Sequence, residues 1–467
     1  MPANKHQVAE WGEDLPAEQI VDYLAAIDTF HGGSDEAKAD YVANAADFFA
    51  WAEDAWGFRQ DVYTVLGDYQ DTEGCKAMGR SLIHVDDDGG FIGPVDFFSQ
   101  RVEPLLEERG VEVLLETAAT NLVLDSSGHA VGLVAQGADG GELLIRATKG
   151  VLLATGGFDR NPAMRNKYLR GPLFGCNSVE GNTGDGIVMG MRAGADLANM
   201  ASVWQQPYYV TAEGDELSLD TDWFEYAGLP GAIVVNAKGR RFCSENTAYG
   251  AADLAFYAYD TTTFDFMNLP AWLVCDADHV ASYGWPGYNA EQPDWFMEYA
   301  TLEELAQACG IDAAGLVDEV TRFNGFAESG VDEEWHRGEG NYGPINVAGY
   351  GVDRPQLANP CMAPLVTPPF YAAKIGPGSC GGTCGGLAVN LDAQVLDLDG
   401  EPITGLYAAG NASASPFGSA YGRAPRFGQC RSWACVYPAV LCGEGGPRCI
   451  RNKRRYPGGC GRSRAGC

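Results

Sequence analysis

Apolar residues in the first hundred positions recur mainly every three or four residues, which is the spacing of an amphipathic helix. The spacing is clearest in residues 16–24 and 40–51, so both segments are predicted to be helices. A further helix is predicted near Val95 to Arg109, because Gly110 follows as a suitable helix stop. We therefore expect the N-terminal part of the chain to be mainly helical.

The spacing of apolar residues changes to every second residue after Gly110, which is typical of half-buried strands. Short strands are predicted at residues 111–117, 120–125 and 131–135, with turns at 126–129 and 137–141. The pattern predicts one strand followed by a small antiparallel meander.

An uninterrupted apolar run in residues 151–154 is followed by Gly156 and Gly157. A strand buried on both faces requires such a run. Glycines at the carboxyl end of a parallel strand let the backbone approach a ligand. At this point an ordinary strand-to-loop glycine pair explains the pattern equally well. Another strand is predicted to end within residues 405–411.

Changes in composition and in apolar spacing along the sequence divide the chain into four predicted segments. Residues 1–204 are predicted to form a first domain, and residues 205–355, which begin with an aromatic, irregular stretch, an inserted second domain. Pro-rich segments near residues 359–370 mark the return to the first domain, which covers residues 356–421. Residues 422–467 are predicted to be an aberrant, basic, Cys-rich tail.

Composition and charge narrow the functional class. The chain has 467 residues, of which 46% are hydrophobic, and a formal net charge of −32. A hydrophobic fraction of this size supplies a large core and excludes a disordered or fibrous protein. The negative charge disfavours nucleic acid as a partner. No apolar run approaches the roughly 18 residues of a membrane span, so we expect no integral membrane segment. We expect a cytoplasmic location, with an export signal upstream of Met1 left open.

Four ordered stretches carry a family resemblance: residues 153–158, 181–187, 239–246 and 405–411. Together they resemble the FAD-dependent family of fumarate reductase and succinate dehydrogenase flavoproteins, which includes the 3-ketosteroid dehydrogenases. The resemblance covers most of residues 5–421. It implies an α/β fold: a Rossmann-like FAD-binding domain with an inserted α+β substrate or capping domain.

The resemblance also implies which residues contact FAD. Glycines would admit the cofactor, while Asp185 and Asn411 would offer hydrogen bonds to sugar-like hydroxyls. An alternative role for Asp185 is a turn carboxylate that caps a helix beginning near Ile187, and the two roles are compatible. The FAD contacts implied by the resemblance are Ala119, Ala154, Thr155, Gly156, Gly157, Asp185, Gly410 and Asn411.

Two departures from the family pattern stand at the ends of the chain. The family's opening strand and its Gly-x-Gly-x-x-Gly turn are absent, so the FAD-binding domain is expected to be incomplete through N-terminal truncation. Residues 421–467 contain ten Lys and Arg, one acidic residue and six Cys. A zinc or disulfide module and a basic nucleic-acid tail are alternatives. We favour a frameshift near Gly422, because a shifted reading resembles the family's last helix.

The stretch Gly382-Thr-Cys-Gly-Gly-Leu387 resembles the ketosteroid branch of the family. That branch removes a proton next to a ring ketone and passes a hydride from the next carbon to flavin N5. By resemblance Tyr249 is the base, Tyr69 assists it and Tyr421 polarises the ketone. The resemblance then implies a small apolar cyclic ketone as substrate. The preferred prediction is a 3-ketosteroid that is dehydrogenated at the 1,2 bond. The electron acceptor stays unknown.

Other interpretations remain. Residues 380–387 contain no His or Arg to hold a dicarboxylate, so fumarate is disfavoured, while reduction of another unsaturated acid or enone stays open. An inactive flavoprotein fragment that binds no FAD is the alternative from another class. Any one of the 21 Tyr is more often a packing residue than a catalyst. Arg240 and Arg241 form either a surface turn or an ion pair with Glu245. No metal site is expected.

Overall fold

The fold is given by a computed structural model of the chain. It describes residues 5–11, 16–28, 32–63, 81–211, 217–218, 226–247, 249–286, 289, 291–340, 343–344, 347 and 354–418. Predicted residues Tyr69 and Tyr421 and the tail 422–467 lie outside the described residues, as does the side chain of Tyr249.

Helices occupy the N-terminal part and recur between the strands. Short 3-10 helices lie at Ala255–Tyr257 and Gly410–Ala412, and a π-helical turn at Phe98–Val102 joins two helices. The helices are α1 (Lys5–Trp11), α2 (Ala17–Ile27), α3 (Asp35–Trp56), α4 (Pro94–Phe97), α5 (Glu103–Glu108), α6 (Pro162–Tyr168), α7 (Asp185–Arg192), α8 (Tyr249–Leu254), α9 (Ala277–Tyr283), α10 (Leu302–Cys309) and α11 (Ala313–Ser329).

The strands are short and are distributed over several small sheets. They are β1 (Gln60–Tyr63), β2 (Ser81–His84), β3 (Thr117–Leu124), β4 (Ala130–Gly137), β5 (Glu142–Arg146), β6 (Val151–Leu153), β7 (Gly175–Cys176), β8 (Leu197–Ala198), β9 (Val203–Gln205), β10 (Tyr208–Tyr209), β11 (Ala232–Asn236), β12 (Tyr259–Asp260), β13 (Asp265–Phe266), β14 (Ala271–Asp276), β15 (Met297–Tyr299), β16 (Phe370–Gly376), β17 (Gly378–Thr383), β18 (Gly386–Leu387), β19 (Gln394–Leu396) and β20 (Pro402–Ala408).

The helix predicted near residues 95–109 is confirmed, because α4, the π-turn and α5 run continuously from Pro94 to Glu108. The antiparallel meander is also confirmed as the sheet β3-β4-β5. The strand predicted at residues 111–117 is wrong. Gly110 leaves the helix with φ 66°, and Val111 N donates to Leu106 O at 2.9 Å, so the chain turns there. Residues 111–116 pair with none of the strands in the described residues, despite their alternating pattern, and β3 begins only at Thr117.

A parallel pair of strands, β6 and β20, positions the site. Val151 pairs with Leu406 and Leu153 with Ala408, so both strands end at the same edge. Their buried side chains pack with Ile187 of α7 in one apolar cluster. The edge therefore has a rigid apolar base, because several elements share that cluster.

A second sheet has the order β10-β16-β14-β11, with β15 paired to β16. Every residue of β11 and β14 is buried, which agrees with apolar clusters on both faces of the sheet. Strand β16 lies in the predicted return segment 356–421 but pairs with β14 of the predicted insert. The four-segment division of the chain stays a prediction. No helix among the described residues is both long and apolar enough to cross a bilayer.

Candidate active site

The site is built where β6 and β20 end. Beyond Leu153 the chain continues through Ala154 and Thr155 to Gly156, and beyond Ala408 it continues to Gly410 and Asn411. Ala409 N donates to Leu153 O at 3.0 Å, which holds the two strand ends together. Six of the predicted FAD contacts thus lie on two adjacent strand ends: Ala154, Thr155, Gly156, Gly157, Gly410 and Asn411.

The N-terminus of α7 lies beside these strand ends. Gly186 N donates to Thr155 Oγ1 at 3.0 Å, so the hydroxyl satisfies one of the helix's free N–H groups. Asp185 is the first residue of α7, two positions before the predicted start near Ile187. Its exposed carboxylate accepts from Thr183 Oγ1 at 3.0 Å. A carboxylate at this position is favoured by the helix dipole and remains accessible to a ligand.

Glycine is required at the strand end because side chains of neighbouring elements lie close against its backbone. A Cβ at Gly156, whose φ is 77°, would lie 2.1 Å from Asn182 Oδ1. A Cβ at Gly157 would lie 2.4 Å from Thr383 Oγ1, on β17. The glycine pair therefore brings the strand end of β6 against both the α7 loop and β17, which an ordinary turn does not require.

Asn411 joins the second strand end to β17. Its side chain is 8% exposed, and Nδ2 donates to Gly381 O at 2.8 Å while Oδ1 accepts from Trp204 Nε1 at 3.2 Å. Gly382 has a φ of 138°, and a Cβ there would lie 1.8 Å from Asn411 Nδ2. The amide therefore fixes the Gly381–Gly382 turn at the end of the second strand.

Ala119, another predicted contact, lies on β3 rather than on the two strand ends. It is a half-buried residue of β3, pairs with Ala135, and packs on the same apolar cluster as β6 and α7. Arg192, at the end of α7, donates to Asn121 Oδ1 at 2.9 Å and so ties the helix to β3. The fold thus places Ala119 on the same side of the molecule as α7.

These residues fit a flavin dinucleotide. The N-terminus of α7 stands beside the strand ends, and a helix N-terminus favours an anionic group such as a pyrophosphate. The hydroxyl of Thr155 and the exposed carboxylate of Asp185 offer polar contacts there. Ligands in open α/β folds bind at this position, outside the carboxyl ends of the strands. The described residues contain no group of three potential metal ligands.

A buried polar cluster around Asp159 was missed by sequence reasoning. The fully buried Asp159 carboxylate accepts from Ser379 Oγ at 2.8 Å, Cys176 Sγ at 3.0 Å and Asn182 Nδ2 at 3.3 Å. Burial, and then the nearby Asp159, raise the pKa of Cys176 to about 12, so the thiol keeps its proton. The cluster ties the loop after β6 to β7 and β17. No local motif identifies it, because its members come from distant parts of the chain.

A buried ion network supports the segment before α8. Arg241 donates to both oxygens of Glu245, at 2.8 and 2.7 Å, and to Asp332 Oδ2 at 2.9 Å. Arg337 Nη1 donates to Glu245 Oε2 at 3.1 Å. The predicted Arg241–Glu245 ion pair is confirmed, and Arg240 is instead partly exposed near Asp318.

The network balances its charges and orders nearby backbone. Burial opposes ionisation of Glu245, but Arg241 and Arg337 lower its pKa below the usual range. Arg337 also donates to the carbonyls of Ala227, Leu229 and Ala232. The segment that leads to Tyr249, the first residue of α8, is therefore anchored four residues upstream by a carboxylate held in a neutral cluster.

The sequence of residues 1–424 matches the family model described as an FAD binding domain. The chain belongs to this FAD binding domain family. It is 37% identical to the 3-oxosteroid 1-dehydrogenase of Mycolicibacterium smegmatis over 68% of this chain and 56% of that protein. It is 33% identical to the 4-oxocyclohexanecarboxylate 2-dehydrogenase of Sinomonas cyclohexanicum over 77% of this chain and 66% of that protein. The chain thus spans less than two thirds of the length of each of these relatives.

The fold is similar to a crystal structure of the 3-ketosteroid delta1-dehydrogenase from Sterolibacterium denitrificans in complex with 1,4-androstadiene-3,17-dione. The TM-score is 0.77 at 26% identity, covering 90% of this chain and 87% of that chain. The family and fold class expected from the sequence are confirmed, and so is FAD as the family's cofactor. The roles of individual site residues stay predictions.

Proposed function

We propose that this FAD binding domain chain belongs to a dehydrogenase that introduces the 1,2 double bond into a 3-ketosteroid-like cyclic ketone. We call the edge where β6 and β20 end, residues 153–157 and 408–411, the flavin edge, because FAD is proposed to bind there. One observation carries the proposal: β17 is hydrogen-bonded both to Asn411 of the flavin edge and to Asp253 of α8, and residues 378–387 contain no cationic side chain. A neutral ketone needs no counter-charge there, whereas a dicarboxylate does.

The buried arginines support the same choice of substrate. Arg241 and Arg337 are both fully buried, and both are paired with Glu245. Their charge is already neutralised within the protein, so they offer no clamp for an acidic substrate. Reduction of an unsaturated acid, the alternative prediction, would need a cation that residues 378–387 do not supply.

The reaction removes a proton from the carbon beside the ketone and a hydride from the next carbon, which leaves a double bond between them. FAD, when bound, supplies the redox chemistry by accepting the hydride at N5. Tyr249 takes the proton as a phenolate, assisted by Tyr69. Tyr421 donates a hydrogen bond to the ketone oxygen and so acidifies the neighbouring proton. The strand ends and α7 hold the dinucleotide, with Thr155, Asp185 and Asn411 as polar contacts.

The experiment is a visible absorption spectrum of the purified chain after FAD is added and excess removed, followed by anaerobic addition of testosterone. Retained flavin absorbance that bleaches with testosterone, with a product lacking two hydrogens by mass spectrometry, supports the proposal. Retained flavin that testosterone leaves oxidised refutes the substrate class. A colourless chain supports the alternative of an inactive fragment.

The base is tested with Tyr249→Phe, which removes the phenol and keeps the ring. We expect flavin retention and a rate of flavin reduction lowered by about 10²–10⁴-fold. Tyr259→Phe, at an exposed tyrosine of β12, is the matched control and should reduce flavin at the wild-type rate. Equal rates for both variants would contradict the assignment of Tyr249.

A further inference from the structure

Helix α8 carries a buried carboxyl that the proposed reaction does not use. Asp253 is fully buried, and its Oδ1 accepts a hydrogen bond from Gly378 N at 3.0 Å. Within the described part of the chain, Oδ2 has no hydrogen-bond partner. Asp253 also forms no ion pair with any of the described residues. A salt bridge among these residues therefore does not explain why α8 carries a buried carboxyl.

The physical state of Asp253 follows from this environment. Burial raises the pKa of Asp253 well above its usual range, against a smaller opposing effect of the Gly378 N–H. The neutral acid is therefore favoured. A neutral carboxyl resembles a carboxamide in shape and in its acceptor oxygen, which makes asparagine a faithful replacement.

The partner of Asp253 lies on the strand that borders the flavin edge. Gly378 opens β17, and the next residue, Ser379, donates to Asp159 from the loop after β6. Three residues after Gly378, the Gly381 carbonyl accepts from Asn411 at the end of β20. Strand β17 is thus fastened to both strand ends of the flavin edge on one side and to α8 on the other.

Tyr249 and Asp253 occupy positions i and i+4 of α8, one helical turn apart. The helix has only six residues, too few to be stable without tertiary contacts. Its register against the flavin edge must therefore come from such contacts. The Asp253–Gly378 hydrogen bond is a direct link between α8 and the strand that contacts the edge.

We propose that Asp253 is a positioning residue: its hydrogen bond to Gly378 N–H fixes α8, and thereby Tyr249, relative to the flavin edge. The inference rests on the proposed function for the role of Tyr249 as the base. A displacement of about 1 Å in a reacting group costs on the order of 10²-fold in rate. Asp253 acts through Tyr249 and does not itself take part in the chemistry.

Two variants separate the hydrogen bond from the acid. Asp253→Ala removes the acceptor, whereas Asp253→Asn retains an oxygen for Gly378 N–H. The matched control is Asp276→Ala, which removes another buried carboxylate whose oxygens accept backbone N–H groups, those of Val366 and Thr367. Asp276 pairs with Phe370 at the start of β16, whereas Gly378 follows the end of β16 and begins β17. Loss of the Asp276 carboxylate should therefore destabilise a region remote from Gly378. Thermal unfolding by circular dichroism checks that each variant folds.

The first readout is independent of activity. 3-Fluorotyrosine is placed at position 249 of the 467-residue chain, and its single ¹⁹F resonance is recorded with each variant. We expect Asp253→Ala to shift or broaden the resonance, and Asp253→Asn and Asp276→Ala to leave it as in the parent chain. An unchanged resonance in a folded Asp253→Ala chain would overturn the inference.

The second readout is the anaerobic rate of flavin reduction by testosterone. We expect a decrease of about 10–10²-fold for Asp253→Ala at saturating substrate, with flavin retained, and recovery to within about threefold in Asp253→Asn. A loss as large in Asp276→Ala would point to general destabilisation and refute a positioning role. If the unmodified chain does not react with testosterone, the proposed function fails, while the ¹⁹F comparison still decides whether Asp253 holds Tyr249 in place.

Discussion

Replacing Arg337 with alanine should destabilise the protein more than any single exposed charge can. Arg337 is fully buried and donates to Glu245 and to the carbonyls of Ala227, Leu229 and Ala232 at 2.7–3.2 Å. In the alanine variant these carbonyls lose a charged donor. The buried cluster also changes from two positive and two negative groups to one positive and two negative.

The magnitude follows from the loss of one partner in a buried ion network. Breaking such a pair costs about 3–5 kcal/mol, because an uncompensated charge remains in the interior. This is a large part of the roughly 5–15 kcal/mol that stabilises a typical folded domain. The double variant Arg337→Met/Glu245→Gln leaves Arg241 paired with Asp332. Its cost in unfolding free energy should therefore be smaller, by about 0.5–3 kcal/mol, than the summed costs of the single variants Arg337→Met and Glu245→Gln.

The assay is urea unfolding followed by tryptophan fluorescence, with the free energy of unfolding extrapolated to water. The matched control is Arg59→Ala, an exposed arginine paired with the exposed Asp87, for which a loss below about 1 kcal/mol is expected. A loss for Arg337→Ala as small as that of the control, or exact additivity in the double variant, would refute the description of a balanced buried network.

Two further predictions concern the glycine turn and the buried acid. Gly382→Ala should lower the free energy of unfolding by about 2–4 kcal/mol and weaken FAD retention, because the new Cβ displaces Asn411 from a strained turn. Gly194→Ala, at a φ of 92° with no atom within 4 Å of the added Cβ, should cost only about 1–2 kcal/mol, and equal losses would contradict the clash. Asp253→Asn should be more stable than the wild type at neutral pH. The native state keeps a proton that the unfolded chain releases above pH about 4, so wild-type stability falls as pH rises past that value. Urea unfolding from pH 3 to 8 should show the difference appearing only above about pH 4, and a constant difference would exclude a neutral Asp253.

The spacing of apolar residues predicted secondary structure correctly wherever buried positions recur with the period of a single strand or helix. The alternation in residues 131–135 and the apolar run ending at Ala154 predicted strands that the fold contains as β4 and β6. The same rule failed at residues 111–116, where alternation is present but none of the strands that the structure describes pairs with it. Alternation reports a tendency to be extended, whereas a strand also needs a partner for its N–H and C=O groups.

The candidate site also contains residues that the sequence predicted and residues that only the structure revealed. The family resemblance predicted Gly156, Gly157, Gly410 and Asn411 as FAD contacts, and the fold places them on two adjacent strand ends. Asp159 and Asp253 carry no such pattern. Each is one acidic residue among 63, and its importance depends on burial and on a partner more than a hundred residues away.

By itself, the sequence determined the family, the cofactor and the kinds of secondary structure, because these depend on ordered motifs and on short-range periodicity. The tertiary structure alone decided which charges are neutralised in the core and which strand joins α8 to the flavin edge. Hydrogen bonds and ion pairs between distant residues form only when the chain has closed on itself, and their strength depends on exclusion of water there.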